Sequence, residues 1–319
     1  MLGSYHPQRA FPAAPCPKFV TIVKAAVFYY TQSGQALRVA QSICSTIDNP
    51  IYKEIVPLRP FPFPWSKNEF FDVFPETRLG MPQTGITPID YSDIQDADIV
   101  IVVGQSWFLS PSMPIQAFFC DEQVRAYLKG RNIVFVNACR NMWLMTARKV
   151  KTYVKDAGAS LVGHIVLQDE TPNLVSVLTV IRWLMYGKKE RTAWLPPAGV
   201  SERDIADASR FGEIISRNVK DDAQTGDTLQ RQLLIAGAIN YKPSVLFLEK
   251  AGHRMFGLWG QFIRKKGGFG DPRRLRRINL FYIYLLTALF MVSPFAQLIY
   301  LITYPLHNVP RHRREDCEL

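Results

Sequence analysis

Apolar residues fall in short unbroken runs along this chain. Lys24 to Tyr30, Asp98 to Gly104 (DIVIVVG), Asn132 to Ala138 (NIVFVNA) and Ala159 to Leu167 are rich in Val, Ile and Phe and close on polar or turn-forming residues. Such runs predict strands buried on both faces. Ile51 to Leu58 alternates and predicts a fifth strand. Between these runs the spacing turns helical. Over Gln35 to Ile47, residues Leu37, Ala40, Ile43, Cys44 and Ile47 share one face. Leu144 to Ala157 is a helix rich in Lys and Arg, and Asp204 to Val219 another, with Ser201 as N-cap and Asp204 completing an acidic variant of the capping box. Strands alternating with helices predict an α/β fold built on a doubly wound, five-stranded parallel sheet, expected over residues 24–222. Residues 1–23 are Pro-rich, lack the apolar core of a secretory signal, and are expected to form an extension. The stretch RPFPFPWSKNEFFDVFPET is too interrupted by proline for regular structure, and its aromatics predict an ordered loop packed on the domain.

In open parallel sheets ligands bind outside the carboxyl ends of the strands, at the point where strand order reverses. Three loops that follow strands carry chemistry: TQSGQ at Thr31 to Gln35, QSWFLSPS from Gln105, and CRNMW from Cys139. TQSGQ offers two hydroxyls, an amide and a glycine at the start of a helix, where unpaired backbone N–H groups suit an anion. It is neither GxxxxGK[ST] nor GxGxxG. A plain strand-to-helix turn capped by Thr31 or Ser33 accounts for the same residues equally well.

The pattern of Thr31, Ser33, Gly34 and Gln35 resembles the FMN-phosphate loop of flavodoxin-like proteins, with Ala36 standing where many members have threonine. The phrases FPFPWSKNEFFDVFPE, SWFLSPSMPIQAF, ACRNMW, NLVSVLTVIRWLMYGKK and AGVSERDI resemble a bacterial flavodoxin-like family of dialkylresorcinol biosynthesis, whose members carry the label "dialkylresorcinol condensing enzyme" and for which an aromatase role is implied. The resemblance implies FMN as cofactor. Thr31, Ser33, Gly34 and Gln35 would hold its phosphate, and Ser106, Trp107, Phe108, Cys139, Asn141 and Trp143 would surround the ring. It also implies a lipophilic small-molecule substrate, and as partners a ketosynthase with its acyl carrier protein. A homodimer is a further expectation.

The residues discriminate between condensation and aromatisation. Thioester condensation needs an acylatable cysteine with basic partners. Cys139 stands at a strand end, but of the five histidines only His164 falls in the expected domain, inside a strand. Aromatising a 2,5-dialkylcyclohexane-1,3-dione removes two hydrogens, and a flavin can take the hydride while a weak base takes the proton. Arg140 is the candidate to hold the enolate, with His164 and Asp169 as candidate bases. Trp107 and Trp143 are candidate stacking partners, although an ordinary ion pair for Arg140 and core packing for His164 and the tryptophans explain those residues too. A quinone reductase or electron carrier with the same cofactor, and a non-enzymatic membrane-tethered partner of the ketosynthase, are the alternatives.

Charge and the C-terminal third add a membrane expectation. The net charge is +11, and Arg264, Lys265, Lys266, Arg273, Arg274, Arg276 and Arg277 gather just before an uncharged run from Ile278 to Leu306. That placement favours an anionic membrane surface over nucleic acid. The run exceeds the ~20 residues that span a bilayer. With Pro294 inside it, a single kinked span, a re-entrant hairpin and a buried helix pair all remain open. Upstream, within the expected linker at 223–277, Leu248, Met255, Phe256, Trp259 and Ile263 share a face that suits an interfacial amphipathic helix. The chain is therefore expected at the cytoplasmic face of the inner membrane, anchored by residues 278–306, with a charged tail at 307–319. The scattered cysteines show no metal-binding spacing and predict free thiols; no metal is expected.

Overall fold

The computed structural model describes residues 22–221 and 226–292, together with Phe295. Residues 1–21 of the expected N-terminal extension and the tail at 307–319 lie outside the described residues. The chain runs through β1 (Lys24–Tyr29), α1 (Gln35–Cys44), β2 (Asn49–Glu54), α2 (Lys67–Asp72), α3 (Phe74–Leu79), β3 (Ile99–Trp107), β4 (Ser110–Pro111), α4 (Met113–Cys120), α5 (Glu122–Leu128), β5 (Asn132–Cys139), α6 (Leu144–Asp156), β6 (Ser160–Gln168) and α7 (Asn173–Tyr186). It continues through α8 (Glu202–Ala206), α9 (Ser209–Lys220), α10 (Gly226–Ile235), α11 (Pro243–Arg264) and α12 (Leu275–Thr287).

Five strands pair in parallel in the order β2-β1-β3-β5-β6, and the short β4 joins β3 antiparallel. Counting only the parallel strands, this is the flavodoxin-like 2-1-3-4-5 order, whose switch point lies between β1 and β3. Alternate residues of each strand feed two cores. Val27, Ile101 and Val136 meet α1 and α9 on one face, while Phe28, Val102 and Phe135 meet α4, α5 and α6 on the other. Helix α9 lies so close to α1 that a Cβ on Gly212 would fall 1.8 Å from the Ile43 carbonyl oxygen.

Four sequence expectations change. The Pro-rich loop contains two short helices. Ser66 and Glu69 form a reciprocal capping box that starts α2, and Pro75 sits in the first turn of α3, where its missing N–H costs nothing. The helix expected over Asp204 to Val219 is broken into α8 and α9, although Ser201 does cap its start, accepting from Asp204 N at 3.0 Å. The expected linker is part of the sheet's body. Leu229 and Leu233 of α10 enter the core, Gln230 Oε1 accepts from His164 N at 2.7 Å, and the Ala238 carbonyl accepts from Val166 N at 2.7 Å. This covers the otherwise open edge of β6.

The fourth change concerns the C-terminal helices. Phe256, Trp259 and Ile263 of α11 turn inward, against Phe74 and the buried Ile278 and Phe281 of α12. Phe74 and Phe281 stack with centroids 3.8 Å apart and planes 5° apart. The face expected to meet lipid is thus largely used in protein packing. Arg274 of the basic cluster is fully buried, donating to Asp72 Oδ1 at 2.6 Å and to Glu76 at 2.7 and 3.0 Å. Among the described residues no helix is long and apolar enough to cross a membrane. Past residue 292 the apolar run lies outside the described residues, save Phe295.

Candidate functional site

The turn after β1 is not closed by a hydroxyl cap. Gly34 takes a left-handed φ of 79° and occupies the N-cap position of α1, with no side-chain cap. Neither Thr31 nor Ser33 therefore caps the helix. Ser33 is exposed, and the Thr31 hydroxyl is buried without a hydrogen-bond partner. Gln35 is engaged elsewhere, since its amide donates to the Val200 carbonyl at 3.2 Å and accepts from Val200 N at 3.4 Å, pinning the loop before α8.

The hairpin joining β3 to β4 has Phe108 and Leu109 at its tip, with φ of 50° and 60°. Two left-handed non-glycine residues in succession cost about 1–2 kcal/mol each. The hairpin turns Trp107 into an aromatic cluster at the sheet edge, edge-on to Tyr30 at 6.1 Å, Phe61 at 5.4 Å and Trp65 at 5.6 Å. Phe108 points the other way, onto Phe70 at 4.9 Å and Phe74 at 5.2 Å. Ser106 also faces inward: it accepts from Asn137 Nδ2 at 3.0 Å and lies 2.8 Å from Thr146 Oγ1.

After β5, Arg140 Nη1 donates to Asn173 Oδ1 at 2.6 Å, and Asn141 Nδ2 donates to the same oxygen at 2.8 Å. Burial pushes the Arg140 guanidinium down to about 10, partly offset by the charge of Asp169 beside it. Asp169 follows β6 and is buried, accepting from Thr171 N at 2.9 Å and from the Ser176 hydroxyl at 2.8 Å. Asn173 and Ser176 belong to α7, whose far end reaches the loop after β2. There Trp65 N donates to the Leu184 carbonyl at 2.8 Å, and Trp183 meets Phe63 edge-on at 6.3 Å. Helix α7 thus bridges the loops at the carboxyl edge from the β6 side to the β2 side. Ser176, Val177 and Thr179 face inward while Leu178 and Ile181 face out.

His164, Trp143 and Cys139 are not where the sequence reading needs them. His164 sits inside β6, stacked on Phe135 at 5.8 Å and beside Trp143 at 5.6 Å. Desolvation lowers it to about 4, so it is a neutral core residue. Trp143 is 1% exposed and packs with Leu144, Met145 and Val166. Burial drives the Cys139 thiol far up, with Glu249 adding to the shift, which leaves no thiolate for acyl transfer. Arg140 and Asp169 are brought together, and Thr31, Gly34, Trp107 and Asn141 share their edge.

Of six buried polar side-chain atoms without a hydrogen-bond partner among the described residues, four lie in this region. They are Thr31 Oγ1, Trp65 Nε1, Gln105 Oε1 and Asn141 Oδ1, near or beyond the carboxyl ends of β1, β2, β3 and β5. Each such atom costs about 1–3 kcal/mol unless a ligand or water satisfies it. Trp65 and Gln105 fall in stretches that sequence reading singles out, but neither side chain is itself a candidate there. Helix α7 is apolar nearly all round, so its only sequence signal is the Ser176 and Thr179 pair at i, i+3.

No protein-family model and no curated protein matches the chain. Among solved structures it is similar to a flavoprotein in complex with FMN from Lactobacillus acidophilus NCFM, at 18% identity over 45% of this chain and 93% of that one, TM-score 0.38. A flavodoxin from the domain Archaea is 13% identical over 62% of this chain and 99% of its own, TM-score 0.35. The azoreductase AzrA is 9% identical over 59% and 99%, TM-score 0.31. At these values the likenesses carry no functional argument, and the flavodoxin-like assignment rests on the strand order.

Proposed function

We propose that the chain is an FMN-dependent oxidoreductase acting on a lipophilic cyclic substrate, in line with its resemblance to the dialkylresorcinol family. The observation that carries this reading is the set of partnerless polar atoms along one sheet edge, reached by a left-handed glycine turn. The residues fit the cofactor. The uncapped N-terminus of α1 and the Thr31 hydroxyl suit a dianionic phosphate. Gln105, Asn141 and the Trp65 N–H suit the polar edge of a flavin ring, with Trp107 against its face. When bound, the flavin supplies a two-electron acceptor for hydride.

The protein's own contributions follow from its geometry. Arg140 would hold the oxygen of an enolised 1,3-dione with the nitrogens that Asn173 does not take. Asp169, fixed by Thr171 and Ser176, would receive the proton, and a weak base suffices because a 1,3-dione is already acidic. Helix α7 would exclude water above both. The loss of one hydride and one proton from the cyclohexanedione leaves the resorcinol. Condensation finds no support: Cys139 is an inert buried thiol, and His164 is a neutral core residue.

Membrane association is part of the proposal. The exposed Leu280, Ile283, Met291 and Phe295 lead into the apolar run and support it. The test is the absorbance of the full chain purified from membranes, followed by anaerobic addition of a dialkylcyclohexanedione. Flavin bands that bleach with dione, and not with NADPH alone, are expected. Protein without flavin bands that takes up no added FMN would refute the reading.

A further inference from the structure

A second polar site lies on the helical face of the domain, away from the turn after β1. A hollow of 360 Å³ is enclosed by α3, the start of α4, α6 and α11. Arg78, Arg148, Lys149 and His253 line it, with Ser110 and Thr152, and no carboxylate is among its lining residues. Arg78 is half-buried, and its Nε donates to the His253 carbonyl at 3.0 Å. Its Nη2 also meets that carbonyl, at 2.5 Å, and His253 Nδ1 at 3.0 Å. These contacts orient the guanidinium but do not neutralise it. Desolvation alone moves Arg78 downward, with no acid offsetting it. Lys149 Nζ stands 4.7 Å from the centre of the Tyr153 ring, and among the described residues it forms no ion pair. Its Cε and Nζ lie against Gly80, 3.3 and 3.5 Å from where a Cβ on that glycine would stand. Desolvation and the charges of Arg78 and Arg148 hold His253 near 4, so the imidazole stays neutral and can donate or accept.

Like charges such as those of Arg78 and Lys149 repel when brought together, and a half-buried one also loses hydration. An arrangement with a fixed guanidinium fork, an ammonium without an ion-pair partner and neutral donors around them suits a tetrahedral oxyanion. We propose that this hollow is a phosphate-binding site, separate from the cofactor turn, taking the phosphoryl group of a soluble ligand or of a phospholipid headgroup. The inference does not depend on the FMN reading, because none of the lining residues belongs to the turn after β1.

The test is calorimetric titration of the full chain with inorganic phosphate at low ionic strength, with and without excess FMN. It is paired with flotation on phosphatidylglycerol-containing or pure phosphatidylcholine vesicles. Phosphate binding that survives excess FMN and weakens at least about tenfold in Lys149→Gln is expected. Thr152→Glu, a change at an exposed position, should weaken it likewise and serves as the second variant if Lys149→Gln does not fold. Flotation that requires phosphatidylglycerol and is lost in the variants identifies a headgroup as the source. Variant-sensitive phosphate binding without a lipid preference identifies a soluble phosphoryl ligand. Phosphate that FMN displaces, or binding unchanged in folded variants, overturns the site.

Discussion

Single atoms separate folding from function here. The Thr31 hydroxyl is buried without a partner among the described residues, so Thr31→Val should leave the flavin-free protein at least as stable in chemical unfolding. A bound phosphate should feel its loss, with FMN affinity falling about tenfold or more by fluorescence quenching. Equal affinity in the two proteins would remove Thr31 from the cofactor site. Glu249 makes a different residue-scale prediction. Its carboxylate is fully buried at the N-terminus of α6, accepting from Leu144 N at 3.2 Å and Met145 N at 2.8 Å. Burial raises it to about 7, against the pull of those N–H groups. A carboxyl raised on folding binds its proton more tightly in the native state, so its contribution is full below the unfolded value near 4.5 and is lost as pH climbs through about 7. Between pH ~4.5 and ~8 the stability of the natural protein should fall relative to Glu249→Gln by an amount on the order of 3 kcal/mol. Urea unfolding of both proteins at each pH measures it, and parallel pH profiles would contradict it.

At the scale of elements, the closest approach is the most exposed to change. Gly212→Ala must push α9 off α1, because the atom in the way is the backbone carbonyl of Ile43 rather than a side chain that could swing aside. A loss of about 3 kcal/mol in urea unfolding is expected, at the high end for overpacking; a loss under about 1 kcal/mol would mean the helices slide freely. Elements also differ in how far the sequence disclosed them. The parallel strands other than β2 were legible because burial on both faces leaves continuous apolar runs, and the edge strand β2 by its alternation; their ends followed within a few residues. Helix α3 was hidden by a proline that sits where a first turn tolerates it, and α2 by Pro60, Pro62 and Pro64, which stop short of its N-cap. Helix α7 was hidden for the opposite reason: one charge in fourteen residues gives no polar face to mark its period. The placement of Thr31, Gly34 and Asn141 at the carboxyl edge was legible from their position after strands, because strand ends fix where a loop must lie. Trp143 and His164 took the core places that the sequence also allowed them, because position along the chain does not say which way a side chain points.

For the whole molecule, the C-terminal apolar run has to serve two environments. Its first turns belong to the protein: Ile278 and Phe281 are buried against Phe71 and Phe74, and Arg274 just before them is held by Asp72 and Glu76. Its next residues alternate outward, with Leu280 53% and Ile283 59% exposed, and Met291 beyond them 60% exposed. One helix therefore leaves the domain core and presents an apolar side with no protein partner among the described residues. Two truncations distinguish the halves. Removing residues 275–319 strips Phe281 from the stack on Phe74 and should lower stability by at least the ~3–5 kcal/mol of a buried Phe→Ala change. Removing only residues 288–319 spares that stack, so the protein should fold and melt much as before while moving from the salt-washed membrane fraction to the supernatant. If the shorter truncation stays with the membranes, the attachment must come from elsewhere. Exposed apolar side chains on α7 and α11, among them Leu178, Ile181, Leu258 and Phe262, would then be the surface to substitute next.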